Sequence, residues 1–353
     1  MEQNWGNPSS LHTLGFLAEQ EMKECREAVA GALSCRAEEI YFTSGGTEAD
    51  NLAILGAAYG RSRRGRHIVT TGIEHPAVLN TMKQLEKEGF SVTYLMPDGF
   101  GRISPEQVYE AVGEETILVS MMAANNEVGS ILPLKAAAGA IREKKAPALL
   151  HADAVQAFVK LPLRPEQMGV DLLTVSGHKI HGPKGVGALY VRRGTHLSPR
   201  VFGGGQEKGL RPGTESTPLI AAFGAAVRAL PDLRLEEERV SELNRHLRER
   251  LSGIPGVKIH SEESGLPYIL NLTAGTVKAE TMLHFLSARG VYVSTGSACA
   301  KGRASHVLMA MGLKREEIAS SLRVSFSRMS TKEETDAFAD ALEEGLAVLA
   351  RKG

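Results

Sequence analysis

Short apolar segments rich in β-branched residues alternate with amphipathic segments over the first 230 residues. Apolar runs of this length predict strands that are buried on both faces of a sheet, and the amphipathic segments between them predict covering helices. The alternation therefore predicts an α/β fold with a mostly parallel central sheet and helices on both faces. The predicted strands are residues 40–43, 67–71, 91–96, 117–121, 148–152, 172–176 and 187–191.

Local sequence marks where several of the connecting helices begin. One helix starts near Thr47, after the first strand. Pro76 occupies the first position of another, where the missing N–H of proline costs nothing. Ser104 followed three residues later by Gln107 has the spacing of a capping box, which satisfies two backbone N–H groups reciprocally. These signals fix helix starts directly after predicted strands or loops.

The pattern changes near residue 230. Residues 233–251 are dense in Glu and Arg with leucines at helical spacing, which predicts a long, partly exposed helix. We expect a large domain over residues 1–230, to which the first few residues need not belong. A linking helix and a smaller α+β domain are expected over residues 231–353. Its predicted elements are strands at 257–260, 268–272, 291–294 and 322–326, a helix at 280–288 and a terminal helix.

Composition narrows the class of protein. Lys+Arg and Asp+Glu number 41 each, so the formal net charge is zero, which argues against a nucleic-acid binder. The three cysteines, Cys25, Cys35 and Cys299, have no metal-like spacing and indicate neither a disulfide framework nor a metal site. No apolar run reaches the roughly 18–20 residues of a membrane span, and no signal-peptide pattern is seen. We expect a cytoplasmic enzyme without membrane contact.

The predicted strand at 172–176 ends in a short polar loop that carries Ser176, His178 and Lys179. Ligands of open α/β sheets bind outside the carboxyl ends of strands. A lysine there can form a Schiff base with an aldehyde cofactor if its pocket lowers its pKa, and the serine and histidine can hold a phosphate beside it. The alternative is an ordinary surface turn.

Small residues also follow the first strand, in the run from Ser44 to Glu48 that includes Gly46 and Thr47. Such a strand-to-helix turn exposes backbone N–H groups at a helix N-terminus, which suits a phosphate. The alternative is a structural turn only. The run has neither the GxGxxG nor the Walker A pattern, so a dinucleotide or ATP site is not expected.

Polar residues end three further strands. Asp153 and Gln156 follow the strand at 148–152, Asn126 follows the one at 117–121, and His75 follows the one at 67–71. A buried carboxylate can face a pyridinium nitrogen and keep it protonated, as a pyridoxal 5′-phosphate (PLP) electron sink requires. Taken singly, Asp153 can instead be a helix cap and His75 a structural residue. Together, the strand ends suit one phosphate, one pyridine ring and one Schiff base.

Cys299 lies in a run of small residues from Ser294 to Cys299, which predicts a cysteine presented on an exposed loop. Cys25 and Cys35 lie in or beside a helical segment and are expected to be structural. A free thiol has a pKa of about 8.5, so Cys299 needs a nearby cation or acid–base partner to act as a nucleophile at neutral pH. We interpret Cys299 as the reactive cysteine.

With these motifs, the sequence resembles the class V, fold-type I PLP enzymes, and within them the cysteine desulfurases of the NifS/IscS type. The resemblance extends from residues 6–10 to the final helix. The motifs that carry it are Ser176-Gly177-His178-Lys179, Gly182-Pro183-Lys184-Gly185 and Gly296-Ser297-Ala298-Cys299. Aminotransferases lack the cysteine-containing loop, so the combination is specific.

The resemblance implies a role for each candidate residue around PLP. Lys179 is the Schiff-base lysine, which also moves the Cα proton of the substrate. The phosphate contacts are Gly46, Thr47, Ser176 and His178, together with Thr214 reaching the site of a partner subunit, so a homodimer is expected. Asp153 pairs with the pyridine nitrogen, Gln156 with the ring hydroxyl, and His75 stacks on the ring; Asn126 also lies at the cofactor.

The resemblance also implies the reaction. Arg323 and Asn126 bind the carboxylate of L-cysteine, with Asn7 close by, since arginine binds carboxylates bidentately. Cys299 takes the substrate's sulfur as a persulfide and L-alanine is released. A mobile loop then delivers the sulfur to an acceptor protein, such as an iron–sulfur scaffold or a thiolation protein.

Two departures from the family pattern are visible. Members usually have a strand and an Ala-Ala-Thr-Thr-like loop before the segment that matches residues 4–8, so a truncated chain, a misassigned start and a paralogue of low activity are all open. Residues 300–305 form a shorter loop than in housekeeping members and lack their Leu-Glu-Pro, which leaves the acceptor open. The alternatives to a desulfurase are a selenocysteine lyase-like enzyme and an N-terminally truncated PLP-binding partner protein of low activity.

Overall fold

The computed structural model describes residues 5–295 and 304–349 as two compact units. The first unit comprises Ser104–Ala123, Pro133–Leu230 and the described residues up to Leu95. The second comprises Met96–Ile103, Ala124–Leu132 and the described residues from Pro231 onward. The sequence predicts both of these short segments in the large domain, whereas they pack with the C-terminal part of the chain. One reason is visible in the second segment, where the carbonyl of Gly129 accepts a hydrogen bond from Leu266 N at 2.7 Å.

Within the described residues, the first unit contains seven strands and seven α-helices. All seven predicted strands are confirmed, four with the predicted ends and three with ends that differ by one residue. The strands are β1 (Ile40–Thr43), β2 (His67–Thr71), β3 (Ser91–Leu95), β4 (Thr116–Met122), β5 (Leu149–Asp153), β6 (Leu172–Ser176) and β7 (Gly187–Val191). The helices are α1 (Thr13–Leu33), α2 (Gly46–Arg61), α3 (Pro76–Lys87), α4 (Pro105–Ala111), α5 (Leu134–Glu143), α6 (Pro165–Met168) and α7 (Thr217–Arg228).

The seven strands form one mixed sheet in the order β1-β7-β6-β5-β4-β2-β3. Neighbouring strands from β6 to β3 are parallel, whereas β7 runs antiparallel to both β6 and β1. Strand β7 is thus the one reversed strand of this sheet. The carboxyl ends of β1, β2, β4, β5 and β6 consequently lie along the same edge, which is where ligands bind in open α/β sheets.

Every residue of β4, β5, β6 and β7 is buried, as expected for strands covered on both faces. Helix α2 packs its apolar side against this sheet, and its buried residues include Ala53 and Ala57. The predicted capping box is confirmed at α4: Gln107 N donates to Ser104 Oγ at 3.2 Å, and Ser104 N donates to Gln107 Oε1 at 2.9 Å. Pro76 is the first residue of α3, as predicted.

The second unit is an α+β structure around an antiparallel sheet in the order β10-β11-β9-β8. Strand β10 is predicted at residues 291–294, whereas the structure has it at Ser294–Thr295. These two residues pair with Arg323 and Leu322 of β11. None of the helices in residues 5–295 and 304–349 is long and apolar enough to span a bilayer. The elements are α8 (Leu233–Ser252), β8 (Val257–Ile259), β9 (Ile269–Ala274), α9 (Ala279–Ser287), β10 (Ser294–Thr295), α10 (His306–Ala310), α11 (Arg315–Ala319), β11 (Ser321–Ser325) and α12 (Lys332–Leu349).

An ion pair fixes the loop between β7 and α7 to the first helix. Arg26 on α1 donates to both carboxylate oxygens of Glu207, at 2.8 and 2.7 Å, and to the carbonyl of Ile40 at 2.6 Å. The same carboxylate accepts the backbone N–H of Phe42 on β1 at 3.0 Å. The Glu207 side chain is 2% exposed, so its charge depends on these partners.

We predict that Arg26→Ala lowers the free energy of unfolding of the first unit by about 3 kcal/mol, because it leaves a buried carboxylate without its cation. Arg234→Ala is the matched control: Arg234 pairs with Glu238 at the surface, where both side chains are more than half exposed. That pair is expected to contribute less than about 0.5 kcal/mol. Urea denaturation measures both losses, and equal losses would contradict the prediction.

Candidate active site

The ends of two neighbouring parallel strands place a carboxylate and a lysine close together. Asp153 is the last residue of β5 and lies opposite Thr174 of β6. Strand β6 ends at Ser176 and continues into a short 3₁₀ helix, Gly177–Ile180, which carries Lys179. Lys179 thus follows the end of the strand next to Asp153, and its positive charge opposes the rise in the pKa of that carboxyl. The structure therefore brings these two predicted residues to one site.

Asp153 is held in the interior. It is 7% exposed, and its Oδ1 accepts the backbone N–H of Val155 at 2.9 Å. Burial raises the pKa of Asp153 to about 6, while the Val155 hydrogen bond and the charge of Lys179 oppose the rise. A cationic ligand group beside this carboxylate would favour its ionised form, so the position suits a protonated ring nitrogen.

The N-terminus of α2 forms a tight concave site next to β6. Gly45, its N-cap, has a φ of 148°, in the range that favours glycine. A Cβ built on Gly46 would approach Val155 Cγ2 to 2.8 Å and would lie 3.8 Å from Ser176 Cβ, so only glycine fits without a shift. Thr47 follows in the first turn and is exposed. The backbone N–H groups at the start of this 16-residue helix therefore lie beside Ser176.

Ser176 and His178 are joined directly. Ser176 Oγ lies 2.8 Å from His178 Nδ1. Partial burial lowers the pKa of His178, and the positive charges of Lys179 and Lys184 lower it further. The hydroxyl, the imidazole and the α2 N-terminus together form a donor set of the kind that binds a phosphate.

A layer of buried polar groups, which the sequence did not indicate, lies between α2 and the sheet. His151 is fully buried, with Nδ1 2.9 Å from Ser120 Oγ and Nε2 3.1 Å from Thr174 Oγ1. Asp50 of α2 places Oδ1 3.6 Å from His151 Nε2. Burial lowers the pKa of His151 to about 3, so the imidazole is neutral, whereas burial and then the charge of Asp153 raise the pKa of Asp50. His151 and Asp153 lie two residues apart on the same face of β5, and Thr174 lies opposite Asp153.

His75 is the N-cap of α3, where its Nδ1 accepts the backbone N–H of Ala77 at 3.1 Å. The adjacent Glu74 is fully buried and accepts hydrogen bonds from Thr71 Oγ1 at 2.6 Å and from Met122 N at 2.9 Å. Burial raises the pKa of Glu74 to about 8. Because Glu74 links the ends of β2 and β4, the half-buried His75 is fixed at the same edge of the sheet as Asp153.

A second lysine lies near Lys179. Lys160, in the turns that follow β5, has its pKa lowered to about 8 by burial and then by the positive charge of Lys179. Adjacent cationic groups favour the neutral, nucleophilic form of an amine. No motif in the sequence marks Lys160 as part of the site.

Two other predicted residues meet in the second unit. Arg323 of β11 donates from Nη1 to the carbonyl of Asn126 at 3.0 Å. Both side chains are partly exposed. The next residue, Glu127, is buried, and the positive charge of Arg323 acts to lower the pKa of its carboxyl group. The planar guanidinium of Arg323, held at the backbone of Asn126, is a group that can bind a carboxylate.

The remaining predicted residues show fewer contacts. Gln156 is half-buried, and Thr214 is exposed in the loop before α7. Asn7 is exposed, and its Oδ1 accepts the backbone N–H of Ser9 at 2.9 Å. Cys299 lies outside the described residues. The roles of these four residues, like those of the other candidate site residues, stay predictions.

The chain is similar to known proteins over almost its full length. Residues 1–338 match the model of the aminotransferase class-V family. Cysteine desulfurase IscS of Methanosarcina thermophila is 41% identical, over 98% of this chain and 86% of that protein. A solved NifS-like protein superposes with a TM-score of 0.92 at 39% identity, over 98% of this chain and 92% of that one. A structure titled SspA in complex with cysteine has a TM-score of 0.81 at 37% identity, over 93% and 92% of the two chains. This chain therefore belongs to the aminotransferase class-V family of PLP-dependent enzymes.

Proposed function

We propose that this protein is a PLP-dependent cysteine desulfurase, which converts L-cysteine to L-alanine and captures the sulfur on Cys299. The observation that carries the proposal is the placement of two residues: the buried Asp153 ends β5, and Lys179 follows the end of the neighbouring parallel strand β6. Relatives named cysteine desulfurase, at about 40% identity over nearly the whole chain, support the same reaction.

The residues of the first unit fit PLP part by part. The N-terminus of α2 at Gly46 and Thr47, with Ser176 and His178, would hold the phosphate. Asp153 would pair with the ring nitrogen, Gln156 with the ring hydroxyl, and His75 would stack on the ring. Lys179 would meet the aldehyde carbon. PLP supplies an aldehyde that reacts with amines and a protonated ring that accepts the electrons of a substrate C–H bond.

Lys179 and Asp153 act on different protons in this reaction. Asp153, as a buried carboxylate, holds the ring nitrogen protonated. The Nζ of Lys179 takes the proton from Cα of L-cysteine and later returns it. His75, fixed at the N-cap of α3, assists proton transfer beside the ring.

The thiolate of Cys299 then attacks the sulfur of the substrate. The C–S bond of L-cysteine breaks and an S–S bond forms, so Cys299 carries a persulfide. The electron pair of the broken bond remains with the substrate carbon, which gains a proton and leaves as L-alanine. No external oxidant or reductant enters this step. Arg323 and Asn126, with Asn7 nearby, would hold the carboxylate of L-cysteine.

The protein would act as a homodimer and deliver sulfur to an acceptor protein. Thr214 is exposed in a loop that the Arg26–Glu207 pair and the Arg211–Glu48 pair fix to the first unit. A hydroxyl on such a rigid loop can reach the phosphate site of a partner subunit. Candidate acceptors are an iron–sulfur scaffold and a thiolation protein, and the cytoplasmic location stays a prediction.

We predict that the purified protein releases L-alanine from L-cysteine with PLP and a thiol reductant, and that Cys299→Ala lowers the rate by at least about a hundredfold. Cys35→Ala is the control, because burial raises the pKa of that thiol to about 12 and makes it unreactive. Equal rates in Cys299→Ala and wild type would exclude sulfur transfer through Cys299. A much faster reaction with L-selenocysteine than with L-cysteine would favour a selenocysteine lyase instead.

Lys179 is expected to be the residue that binds the aldehyde of PLP. Borohydride reduction of the wild-type protein should fix the cofactor covalently to the peptide that contains Lys179, as peptide mass spectrometry would show. Lys179→Ala should leave that peptide unlabelled, and Lys184→Ala, which removes an exposed lysine of the same loop, should be labelled like wild type. Labelling of another lysine in the wild-type protein would contradict the assignment.

Thr214→Ala is expected to weaken PLP binding about tenfold, because one hydrogen bond to a charged phosphate is lost. Ser216→Ala, an exposed serine of the same loop, should bind PLP like wild type. Fluorescence titration gives both affinities, and light scattering gives the oligomeric state. A monomeric wild-type protein, or an unchanged affinity in Thr214→Ala, would refute the cross-subunit role.

A further inference from the structure

The backbone around Asn126 is held in one conformation. The side chain of Asn125 is fully buried, and its Oδ1 accepts the backbone N–H groups of Glu127 and Val128 at 2.8 and 3.0 Å. The carbonyl of Asn125 accepts Gly129 N at 3.1 Å. Gly129 has a φ of 76°, and a Cβ there would lie 3.1 Å from the carbonyl oxygen of Leu266. The turn is therefore closed by its own hydrogen bonds and leaves Glu127 little freedom.

Glu127 points into the interior of the second unit. It is 2% exposed, and its Oε2 accepts a hydrogen bond from the hydroxyl of Ser305, which is 5% exposed, at 2.5 Å. Burial raises the pKa of Glu127 to about 7, while the Ser305 hydrogen bond and the positive charge of Arg323 oppose the rise. The carboxylate thus interacts with two groups at once, a hydroxyl and a guanidinium.

Ser305 is the N-cap of α10. Its Oγ accepts the backbone N–H of Leu308 at 3.1 Å while its hydroxyl hydrogen is donated to Glu127. A hydroxyl that accepts and donates in this way has a fixed orientation. The start of α10 is therefore attached to the turn that contains Asn126.

Arg323 connects the same turn to the other side of Cys299 in the sequence. On β11, Arg323 lies opposite Ser294 of β10, and Leu322 lies opposite Thr295. Arg323 also donates to the carbonyl of Asn126. Thr295 precedes Cys299 and Ser305 follows it, so residues on both sides of the cysteine are attached to the proposed carboxylate-binding pair.

We propose that Glu127 is a positioning residue for sulfur transfer: by binding Ser305 at the start of α10, it ties the end of the cysteine-bearing segment to the turn that contains Asn126. The proposal rests on the proposed desulfurase function and deepens it. Glu127 touches neither substrate nor cofactor. It acts through Ser305, the N-cap of α10, which follows Cys299 in the sequence.

If Glu127 has this role, replacing it should slow the step that uses the thiol of Cys299. It should not slow proton transfer at Cα of the substrate. Two reactions separate these steps. Release of L-alanine from L-cysteine needs the thiol, whereas exchange of the Cα hydrogen of L-alanine with D₂O needs Lys179, the cofactor and the groups that bind the amino acid, but not the thiol. A misplaced nucleophile lowers the first rate and leaves the second unchanged.

The variants are Glu127→Ala, Ser305→Ala and Glu127→Gln, with Ser320→Ala as the matched control. Ser320 is a buried serine of the same unit whose hydroxyl donates to the carbonyl of Glu316 at 2.9 Å. For Glu127→Ala and Ser305→Ala we expect kcat for L-alanine release to fall at least about tenfold, with KM changed less than about threefold. The exchange rate should stay within about twofold of wild type. Glu127→Gln, which keeps an acceptor for Ser305, should recover most of kcat.

A second readout uses the cofactor-free protein. If Glu127 orients the Ser305 hydroxyl, amide hydrogen exchange at the start of α10 should be several-fold faster in Glu127→Ala although Ser305 is still present. Exchange within α12 provides the internal reference, since its residues make none of these contacts in the part of the chain that the structure describes. Unchanged exchange at α10 would overturn the proposed link.

The kinetic outcomes are equally decisive. Unchanged kcat in Glu127→Ala and Ser305→Ala would overturn the proposal, and so would a parallel fall of both reactions, because that is the result of general structural damage. Failure of the wild-type protein to release L-alanine would instead refute the desulfurase function itself. The two failures are therefore distinguishable in one set of assays.

Discussion

The buried carboxylate of Asp153 is the constraint around which the first unit is built. Removing an ionised carboxylate from water is costly unless hydrogen bonds or positive charges compensate, and here the compensation is one backbone N–H and the charge of Lys179. The neighbouring His151 is neutral, and the raised pKa of Asp50 reduces the competing negative charge. A cationic group beside Asp153 would add compensation of the same kind, which is why the position suits the protonated ring nitrogen proposed for it.

The direction of the strands explains how residues from distant parts of the chain reach that carboxylate. Because β1, β2, β5 and β6 run the same way, the turns after them open at one edge of the sheet. Gly46, His75 and Lys179 therefore all lie within a few residues of a strand end at that edge. The N-terminus of α2 at Gly46 adds the positive end of a helix dipole, which favours an anion. The acidic side chain in its first turn, Glu48, is paired with Arg211.

Much of this could be predicted from the sequence, since strand ends and glycine-rich turns are local features. The alternation of apolar segments located the strands of the main sheet, and Ser176, His178 and Lys179 follow one of them directly. The buried layer of His151, Ser120 and Asp50 escaped prediction, because a polar residue within an apolar run has no visible partner until the sheet and α2 are packed together. The two short segments that join the second unit were missed because their partners lie far along the chain.

Glu127 illustrates the same limit at a finer scale. It stands next to Asn126, which motif resemblance selects, yet nothing local distinguishes a solvated glutamate from one that receives a serine hydroxyl 178 residues away. Its burial also changes its chemistry: an exposed carboxylate is worth little to a neighbouring arginine, whereas a buried one interacts strongly with both the guanidinium and the hydroxyl. Motif resemblance thus selects Asn126, whereas the contact between Glu127 and Ser305 can be seen only once the chain is folded.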